Sequence, residues 1–494
     1  MPIGAYLPPF VRRAGLAFAK SLEGAFAYDA VKNNGRRRPA DGIVRSADAE
    51  LNAEDRRRLL SDSRTIEQNF SVVGWMVRKH LDYTTTFSFD AKSGDDYTDQ
   101  WLEDFVAEWS QPENFDAAHR MDMDAFLRVA EGRRCIDGDC GLLKLENGQL
   151  QAIEGDRIRT PYNGLPNDVP KDEVIHGVHT DVYQAGRALA YAVCRRAKTT
   201  DYGQIGLDFQ FERMVPVRDM LLYASFDRFD QTRGISPLAA GLNPLKDLYE
   251  GFDYTLGKIK LAQLFGLVLF RGDPDSITKD TYDEEEAQDY SKINLNSQRI
   301  LDLDVGDRAE FLESRTPAAD TAAFFQQMLA LTLKTFDIPY SFYNESFSTY
   351  SGSRQALLMY EQSAHNSRKL PIRTRNHLLK WRLAVALLNN QIPSRVKIEL
   401  MRWSWIHAGL PWIDPLKEIT ADLAAVRGRL ASRTQICRLR GTDFYQIVDE
   451  LAREEDYMRK KSVSVSEIDD KTLSELAHAA EPSQPPNGEG EDNA

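Results

Sequence analysis

The strongest hydrophobic pattern in the chain lies within residues 236–265. Apolar side chains recur there at alternating spacings of four and three residues, at Leu238, Leu242, Leu245, Tyr249, Phe252, Leu256 and Ile259. This is the period of one face of an α-helix, and Ser236 followed by Pro237 is typical of a helix start. The pattern predicts one long helix that stops at Gly266. A two-stranded coiled coil is the alternative interpretation of the same spacing.

The pattern changes over residues 266–316. Residues 267–270 are continuously apolar, as in a strand, residues 280–289 are acidic, and residues 301–305 alternate between apolar and acidic side chains. A second helix is predicted over residues 317–337. Pro317 marks its start, apolar side chains follow at helical spacing, and Pro339 marks its end. The pattern therefore predicts two helices that flank a small β-containing excursion.

Elsewhere the chain mixes helical and strand-like patterns, and we expect the α+β fold class. Residues 135–223 are strand-like and rich in turns. After a loop over residues 339–352, a helix is predicted over residues 353–390 with a kink at Pro371, because proline lacks the amide hydrogen. Further helices are predicted over residues 52–79, 101–109, 123–131 and within 415–461.

Charge and composition limit the function. The formal net charge is −13, which argues against a protein that wraps nucleic acid by neutralising phosphates. An acidic surface still permits DNA to slide past without being gripped. Residues 368–382 are the exception, with six Lys or Arg and no acid. This run is interpreted either as a face toward phosphates or acidic neighbours, or as a solvated or subunit-pairing surface.

Candidate chemistry is sparse. Four cysteines, Cys135, Cys140, Cys194 and Cys437, lack the spacing of a zinc site and are expected to be free thiols. Phosphate-loop, zinc-protease and nucleophile-elbow motifs do not occur in the sequence. We expect no metal, no cofactor and no catalytic residues. The longest apolar segment is about half of the ~20 residues that a membrane-spanning helix needs, so no membrane partner is expected.

The best candidate for enzymatic chemistry is a group of carboxylates, Asp137, Asp139 and Glu154, which could hold magnesium. Asp137 and Gly138 are first of all a turn signal. They are predicted to form a hairpin between strands at residues 133–136 and 140–145.

Several short motifs follow one another along the chain. They are Ile153-Glu154-Gly155-Asp156-Arg157-Ile158, Gly177-Val178-x-x-Asp181, Gly186-Arg187-Ala188-x-Ala190-Tyr191, Asp230-Gln231-Thr232-Arg233-Gly234-Ile235-Ser236-Pro237-Leu238, Phe336-Asp337-Ile338-Pro339-Tyr340, Tyr350-Ser351-Gly352-Ser353-Arg354, Trp412-Ile413-Asp414-Pro415-x-Lys417-Glu418 and Gly441-Thr442-Asp443. In this order they resemble the lambda-type portal proteins of tailed phages, over roughly residues 27–461. The sequence departs from that family at residues 82–89, where Tyr83 and three threonines stand in place of an expected Val-Gly-x-Gly turn.

The resemblance implies the phage portal fold, with a wing, a two-helix stem, a small clip, a tunnel loop, a kinked long helix and a helical crown. It also implies how these parts follow one another along the chain. In order they are an N-terminal arm (1–50), an α+β wing (51–235), stem helix 1 (236–265), the clip (266–316), stem helix 2 (317–337), the tunnel loop (338–352), the kinked helix and wing return (353–414), the crown (415–461) and an acidic, largely disordered tail (462–494).

The resemblance further implies a non-enzymatic subunit of a ring, typically with twelve members, at one capsid vertex of the virion. Double-stranded DNA would pass through this ring without sequence-specific contacts. The implied partners are the terminase large subunit, the major capsid or scaffold protein and a head-completion adaptor, with assembly in the bacterial host cytoplasm. The implied tunnel-loop residues are Asn344, Glu345, Ser348, Thr349, Tyr350, Ser351 and Arg354, and the implied acidic face of the clip is Asp283, Glu284, Glu285 and Glu286.

Two other functions remain open at the level of the sequence. One is a metal-dependent, phage-associated nuclease that uses Asp137, Asp139 and Glu154. The other is a membrane-associated or filamentous scaffold built on the heptad-like helix, which would form open polymers instead of closed rings.

Overall fold

A computed structural model describes residues 44–162, 164–181, 186–196, 209–264, 267–270, 308–311, 319–344, 350–409 and 415–461. The chain divides into a first unit of residues 1–50 and a second of residues 51–494. Within the first unit the described element is the short helix α1, Ala47–Glu50. Most of the predicted N-terminal arm, and the predicted acidic tail at residues 462–494, lie outside the described residues.

The second unit begins with two helices, α2 (Ala53–Asn69) and α3 (Ser71–Thr84). Asn52 caps α2 by accepting hydrogen bonds from the backbone N–H groups of the first turn. The prediction of one helix over residues 52–79 was wrong, because Phe70 is extended and interrupts the helix. The Phe70 side chain is buried and packs against Tyr249 and Phe252, contacts that hold the break in place.

The next elements form a layer of helices on a two-stranded ribbon. Strand β1 (Phe87–Ala91) precedes α4 (Asp96–Trp109), the single-turn helix α5 (Pro112–Phe115) and α6 (Met123–Asp137). Helix α4 begins five residues earlier than predicted, since Asp95 caps it through the N–H of Thr98.

Helix α6 continues through residues that the sequence assigned to a hairpin. Residues 133–136 are helical, and Gly138, with φ +94°, ends the helix. Strand β2 (Asp139–Lys144) follows directly. The predicted strand–turn–strand at Asp137 and Gly138 was therefore wrong, because Cys135 and Ile136 are buried on the core side of the helix.

Two small antiparallel sheets carry most of the strand content of the described residues. In one, β2 lies between β3 (Leu150–Glu154) and β8 (Met220–Ala224). The other has the order β4 (Val174–Ile175), β5 (Val178–Asp181), β6 (Arg187–Arg196) and β7 (Phe209–Pro216). This region confirms the α+β class.

The predicted long helix is present as α7 (Leu242–Leu264), preceded by a 3₁₀ turn at Pro237–Gly241. Ser236 caps this turn as expected from the sequence, its side chain accepting from the N–H of Leu238. The helix begins six residues later than predicted.

Strand β9 (Leu267–Phe270) follows α7 as predicted and pairs antiparallel with β10 (Arg308–Phe311). The second predicted helix is α8 (Ala319–Leu333), which tightens into a 3₁₀ turn at Lys334–Phe336. It ends before Pro339 because Asp337 takes a left-handed conformation at φ +55°.

The predicted loop at residues 339–352 is partly helical. Helix α9 (Tyr340–Asn344) occupies its first part, and helix α10 (Tyr350–Ser367) begins before the predicted helix start at residue 353. Aromatic contacts hold α9 in place, since Tyr343 packs edge-on against Trp75, and Phe342 contacts Tyr83.

Helix α11 (Lys369–Leu388) follows α10 after the single residue Arg368. The predicted helix over residues 353–390 is therefore divided at Arg368, three residues before Pro371, where a kink was predicted. Pro371 lies instead in the first turn of α11, where a missing N–H leaves no intrahelical acceptor unsatisfied. The strand β11 (Trp403–His407) then pairs antiparallel with β1.

The last described elements are helices, as predicted for residues 415–461. They are α12 (Pro415–Arg427), α13 (Arg433–Leu439) and α14 (Phe444–Lys461). Among the helices that the structure describes, none is both long and apolar enough to cross a membrane.

Three apolar clusters hold the second unit together. The first joins α2 and α3 to α7, α8 and α10, through buried residues such as Met76, Leu245 and Leu333. The second lies among α4, α6, α11 and β11, and includes Leu102 and Leu379. The third fills the space between the two sheets. Among the described residues, the first cluster contacts the long helix near its N-terminal end, through Leu242, Leu245 and Leu248.

The close approach of two glycines at the end of α6 gives a prediction. A Cβ on Gly138 would lie 2.7 Å from the carbonyl oxygen of Gly234, in addition to the strain of φ +94°. We expect Gly138→Ala to lower the free energy of unfolding by about 3 kcal/mol or more, measured by chemical denaturation. Gly94 has φ +78° and open space around its Cβ position, so Gly94→Ala should cost only about 1 kcal/mol. Equal losses in the two variants would contradict this account.

Candidate functional site at the head of the long helix

The carboxylates singled out in the sequence lie around the junction of α6, β2 and β3. Asp137 ends α6, Asp139 begins β2, and Glu154 ends β3. Asp156 lies in the 3₁₀ turn that follows. The side chains of Asp137 and Asp139 are completely buried, whereas Glu154 is half exposed. The structure therefore brings these acidic groups into one region, but in the described residues they do not form a set of ligand atoms close enough together to share a metal ion.

Arginine side chains form ion pairs with these carboxylates. The fully buried Arg233 donates from Nε to Oδ2 of Asp139 over 2.7 Å and from Nη2 to Oδ1. The same guanidinium donates to the backbone carbonyl oxygens of Gly155, Ile158 and His176. All of its donor nitrogens thus have partners.

Asp139 also accepts hydrogen bonds from two further groups. The backbone N–H of Gly234 donates to Oδ2 over 2.9 Å, and Nη2 of Arg56 donates to the same oxygen over 3.0 Å. Burial by itself raises the pKa of Asp139, but Arg233 and Arg56 lower it below its ordinary value. Asp139 is therefore ionised and held by two cations.

A second arginine cluster lies beside the first. Arg64 on α2 donates through both Nε and Nη2 to Asp137, over 2.8 and 2.6 Å, and also to Glu154 over 2.8 Å. The hydrogen bond to Asp137 raises the pKa of Arg64, although burial opposes this. On the outer side, Arg196 donates to Asp156 over 2.5 Å.

This arrangement favours a structural role for the carboxylates over a magnesium site. A metal ion would have to displace Arg64 from Asp137 and Arg233 from Asp139, and so leave buried cations without partners. The sequence pointed to the acids but missed Arg56 and Arg64, since two arginines eight residues apart in an Arg-rich helix carry no distinguishing signal. Arg233 was visible only as part of a family motif.

Among the described residues, the one set of His, Cys and acidic side chains close enough to share a metal ion is His80, Glu131 and Cys135. It is buried against Phe336 at the end of the second long helix. The carboxylate of this set already has hydrogen-bond donors on both oxygens. Glu131 accepts from Arg134 over 2.7 and 2.9 Å, from the Tyr223 hydroxyl over 2.8 Å, and pairs with His80 over 2.8 Å. The set is best described as a buried ion-pair network.

The loop residues implied by the family resemblance are only partly described. Asn344 is exposed at the end of α9, and Tyr350 and Ser351 lie in the first turn of α10. Nη1 of Arg354 lies 3.5 Å from Glu418 on α12. Other predicted site residues lie outside the described residues, namely Glu345, Ser348, Thr349, Asp283, Glu284, Glu285 and Glu286.

Glu418 belongs to a further network that links the C-terminal helices. It accepts from Arg440 over 2.8 Å, and Arg440 also donates to Asp422 over 2.8 Å. Through Arg354, this network connects α12 to the start of α10. The C-terminal motif recognised in the sequence thus supplies a contact between the helix that follows the loop and the last helices.

The buried pair of Asp139 and Arg233 gives a stability prediction. Asp139→Asn removes a charge while keeping the shape, and leaves Arg233 buried without its counter-ion. We expect a loss of about 3–5 kcal/mol in the free energy of unfolding, measured by chemical denaturation. Glu54→Gln is the matched control, because Glu54 pairs with Arg58 on an exposed helix face and should cost less than about 1 kcal/mol. A loss in Asp139→Asn no larger than in the control would contradict the structural role.

The network around Glu131 gives a pH prediction. Burial lowers the pKa of His80, but Cys135 and Glu131 together raise it to about 9. Burial raises the pKa of Glu131, but Arg134 and His80 lower it to about 2. His80 therefore contributes stability that is complete below about pH 6.5 and is lost as the pH rises through 9, whereas the contribution of Glu131 is complete above about 4.5 and is lost toward 2.

We expect the unfolding free energy of the wild-type chain to fall by about 3 kcal/mol between pH 6.5 and 9 on account of His80. The measurement is a series of urea denaturations across this pH range. His80→Gln keeps a hydrogen-bonding group but cannot titrate. The unfolding free energy of this variant should therefore lack the fall that His80 causes over the same pH interval, and should change only through the remaining titratable groups. The same slope in both proteins would contradict the assignment.

Comparison with known proteins found similar solved structures and one matching family model. Solved structures similar to this chain include one described as "Virion of native gene transfer agent (GTA) particle", with 14% sequence identity, a TM-score of 0.45 and coverage of 83% of this chain and 96% of that one. Another is described as "Neck of empty GTA particle computed with C6 symmetry", with 16% identity, a TM-score of 0.46 and coverage of 81% and 96%.

A third solved structure, described as "Neck of native GTA particle computed with C12 symmetry", has 14% identity, a TM-score of 0.44 and coverage of 81% and 96%. No curated protein matches the chain. The family model described as "Phage portal protein, lambda family" matches residues 34–368, well over half of the sequence. The matched segment contains the Arg233–Gly234 motif, its carboxylate partners and both long helices, and the chain belongs to the lambda family of phage portal proteins.

Proposed function

We propose that this chain is the portal subunit of a phage or phage-like particle, and forms a ring at one capsid vertex through which genomic DNA enters and leaves. The observation that carries the proposal is the family match, which extends across the wing region and both long helices. In this proposal the subunit acts by forming a ring of fixed bore. The carboxylates at Asp137 and Asp139 are paired with arginines, which favours a role in stabilising the fold over one in catalysis.

The parts of a portal subunit follow the chain order. We assign the wing to residues 51–235 and to the return over 353–414. The stem consists of α7 and α8, and the clip lies between them over residues 266–316. Residues 338–352 are the tunnel loop, with α9 as its first turn, and α12 to α14 form the crown.

Exposed apolar side chains support a ring of copies. Single exposed apolar residues are ordinary, but several on one helix indicate a surface that a partner covers. Three helices carry such groups, in parts of the subunit that a ring would bring against neighbouring copies. They are Tyr249, Phe252, Tyr254 and Leu256 on α7, Phe324 and Leu331 on α8, and Tyr445, Val448, Leu451 and Tyr457 on α14.

The charge of the chain suits the passage of DNA. With a net charge of −13, a ring of copies repels a polyanion and keeps it mobile in the bore. The proposed contacts to the duplex are the polar loop residues Asn344 to Arg354 named in the sequence analysis. The acidic clip residues Asp283 to Glu286 would dock the terminase large subunit and later the head-completion adaptor, and the wing would face the capsid or scaffold protein. The site of function is then the virion, after assembly in the host cytoplasm.

The mass and shape of the assembly that the purified chain forms would test the proposal. Light scattering of the purified chain after size exclusion, with negative-stain microscopy of the same peak, should show a closed ring of about twelve copies with a central hole that admits duplex DNA. Open filaments would contradict the proposal. A compact dimer that cuts DNA with magnesium, and loses this activity in Asp139→Ala, would replace it with the nuclease hypothesis.

A further inference from the structure

Helix α11 carries a row of basic side chains that the portal assignment leaves unexplained. Lys369, Arg373, His377 and Lys380 follow spacings of four, four and three residues, and all four are exposed, so they share one face of the helix. Among the ion pairs of the described residues, none involves Lys369, Arg373 or Lys380. The acid-free run noticed in the sequence thus divides into the buried Arg368 and Arg375, which have partners inside the subunit, the half-buried Arg382, and this exposed basic row.

A lysine from the neighbouring sheet lies beside the basic row. Nζ of Lys144, at the end of β2, lies 3.4 Å from Nε2 of His377. Partial burial lowers the pKa of His377, and the positive charges of Lys144 and Lys380 lower it further. A neutral His377 can accept a hydrogen bond from Lys144, which thus adds one more cation beside Lys369, Arg373 and Lys380.

Helix α4 carries the opposite pattern. It contains no Lys or Arg, and Asp96, Asp104 and Glu108 are exposed on one row at spacings of eight and four residues, with Gln100 between them. No ion pair among the described residues involves these three acids. Asp104 accepts only a hydrogen bond from the Gln100 side chain.

The two rows match in length and are held rigidly. At 1.5 Å per residue, the acidic row spans about 18 Å and the basic row about 16 Å. Both helices bury their other faces in the same apolar cluster, which includes Leu102 and Val106 of α4 and Leu378 and Leu379 of α11. Within one subunit the rows do not pair with each other, although Arg382 of α11 packs over the Phe105 ring of α4.

We propose that the basic row of one copy docks on the acidic row of the next copy, and that this contact joins neighbouring wings. The inference rests on the proposed ring. A closed ring needs two different, complementary surfaces on each chain. The rows are opposite in sign and similar in length, and they form no ion pair with each other within the subunit, although the charge of Glu108 acts on Arg382 of α11. DNA is the less favoured occupant of the basic row, because it would leave the acidic row without a partner.

Two charge-reversal variants test the contact. In the acid variant, K369E, R373E and K380E make both rows negative. In the base variant, D96K, D104K and E108K make both rows positive. Either variant alone should oppose like charges at every interface, and weaken association between copies by on the order of tenfold to a hundredfold at low salt. Rings should disappear or become rare, as measured by mass photometry of the purified full-length chains.

Mixing the two variants separates a docking contact from simple damage to the fold. When they are co-expressed with different affinity tags, each interface between an acid and a base copy again pairs opposite charges. We expect rings in which the two variants alternate, recovered through both tags in equal amounts. A chain that carries all six substitutions should also form rings by itself, since the rows have exchanged sign.

The matched control changes the net charge by the same amount away from both rows. R57E, R195E and R213E alter three exposed arginines, one on α2 and two on the strands β6 and β7, and should leave rings intact. Loss of rings in this control equal to that in the acid variant would overturn the inference, because net charge would then explain both.

Other outcomes are equally decisive. Rings of wild-type yield in both row variants would overturn the docking contact and leave the proposed function standing. Failure of the wild-type chain to form rings at all would overturn the proposed ring and this inference together. Salt-sensitive binding of duplex DNA by the wild-type ring, lost in the acid variant while its rings persist, would assign the basic row to nucleic acid instead.

Discussion

The buried ion pair between Asp139 and Arg233 is the constraint on which the centre of this subunit depends. Arg233 reaches five acceptor oxygens, two on Asp139 and three on the backbone of two other segments, the turn at residues 155–158 and the loop at His176. A guanidinium with this many fixed acceptors cannot shift without losing several at once. The pair therefore sets the positions of the β2 strand, the turn after β3 and the loop before β5 relative to the start of the long helix.

The entry to the long helix is fixed by the same residues. Immediately after Arg233, Gly234 lies so close to Gly138 that a Cβ on Gly234 would meet the Gly138 carbonyl at 2.1 Å. Two residues later, the Ser236 hydroxyl donates to the carbonyl of Cys135 over 2.6 Å while capping the first turn. The end of α6 and the start of α7 are thus joined by backbone contact, by a cap and by charge.

The sequence predicted those features that depend on local periodicity. The long helix, the strand at Leu267–Phe270 and the cap at Ser236 all follow from the pattern of neighbouring residues. Features that depend on distant contacts were missed. Asp137 and Gly138 look like a hairpin turn, yet burial of Cys135 and Ile136 keeps α6 helical up to that point. Phe70 interrupts a helix because of aromatic rings almost two hundred residues away, and the arginine partners of the carboxylates have no local signature.

Buried and exposed charged side chains have different roles in this chain. Buried arginines such as Arg233 and Arg375 meet carboxylates or carbonyl oxygens inside the subunit, where unpaired charge would be costly. Exposed charges face water, where each pair contributes little and salt screens it. An uncompensated exposed row therefore costs the monomer little stability, but repeated around a closed ring it adds at every interface. The buried ion pairs thus hold the core of each subunit rigid. The exposed rows would supply weak ionic contacts that, repeated at every interface of the proposed ring, orient each copy against the next.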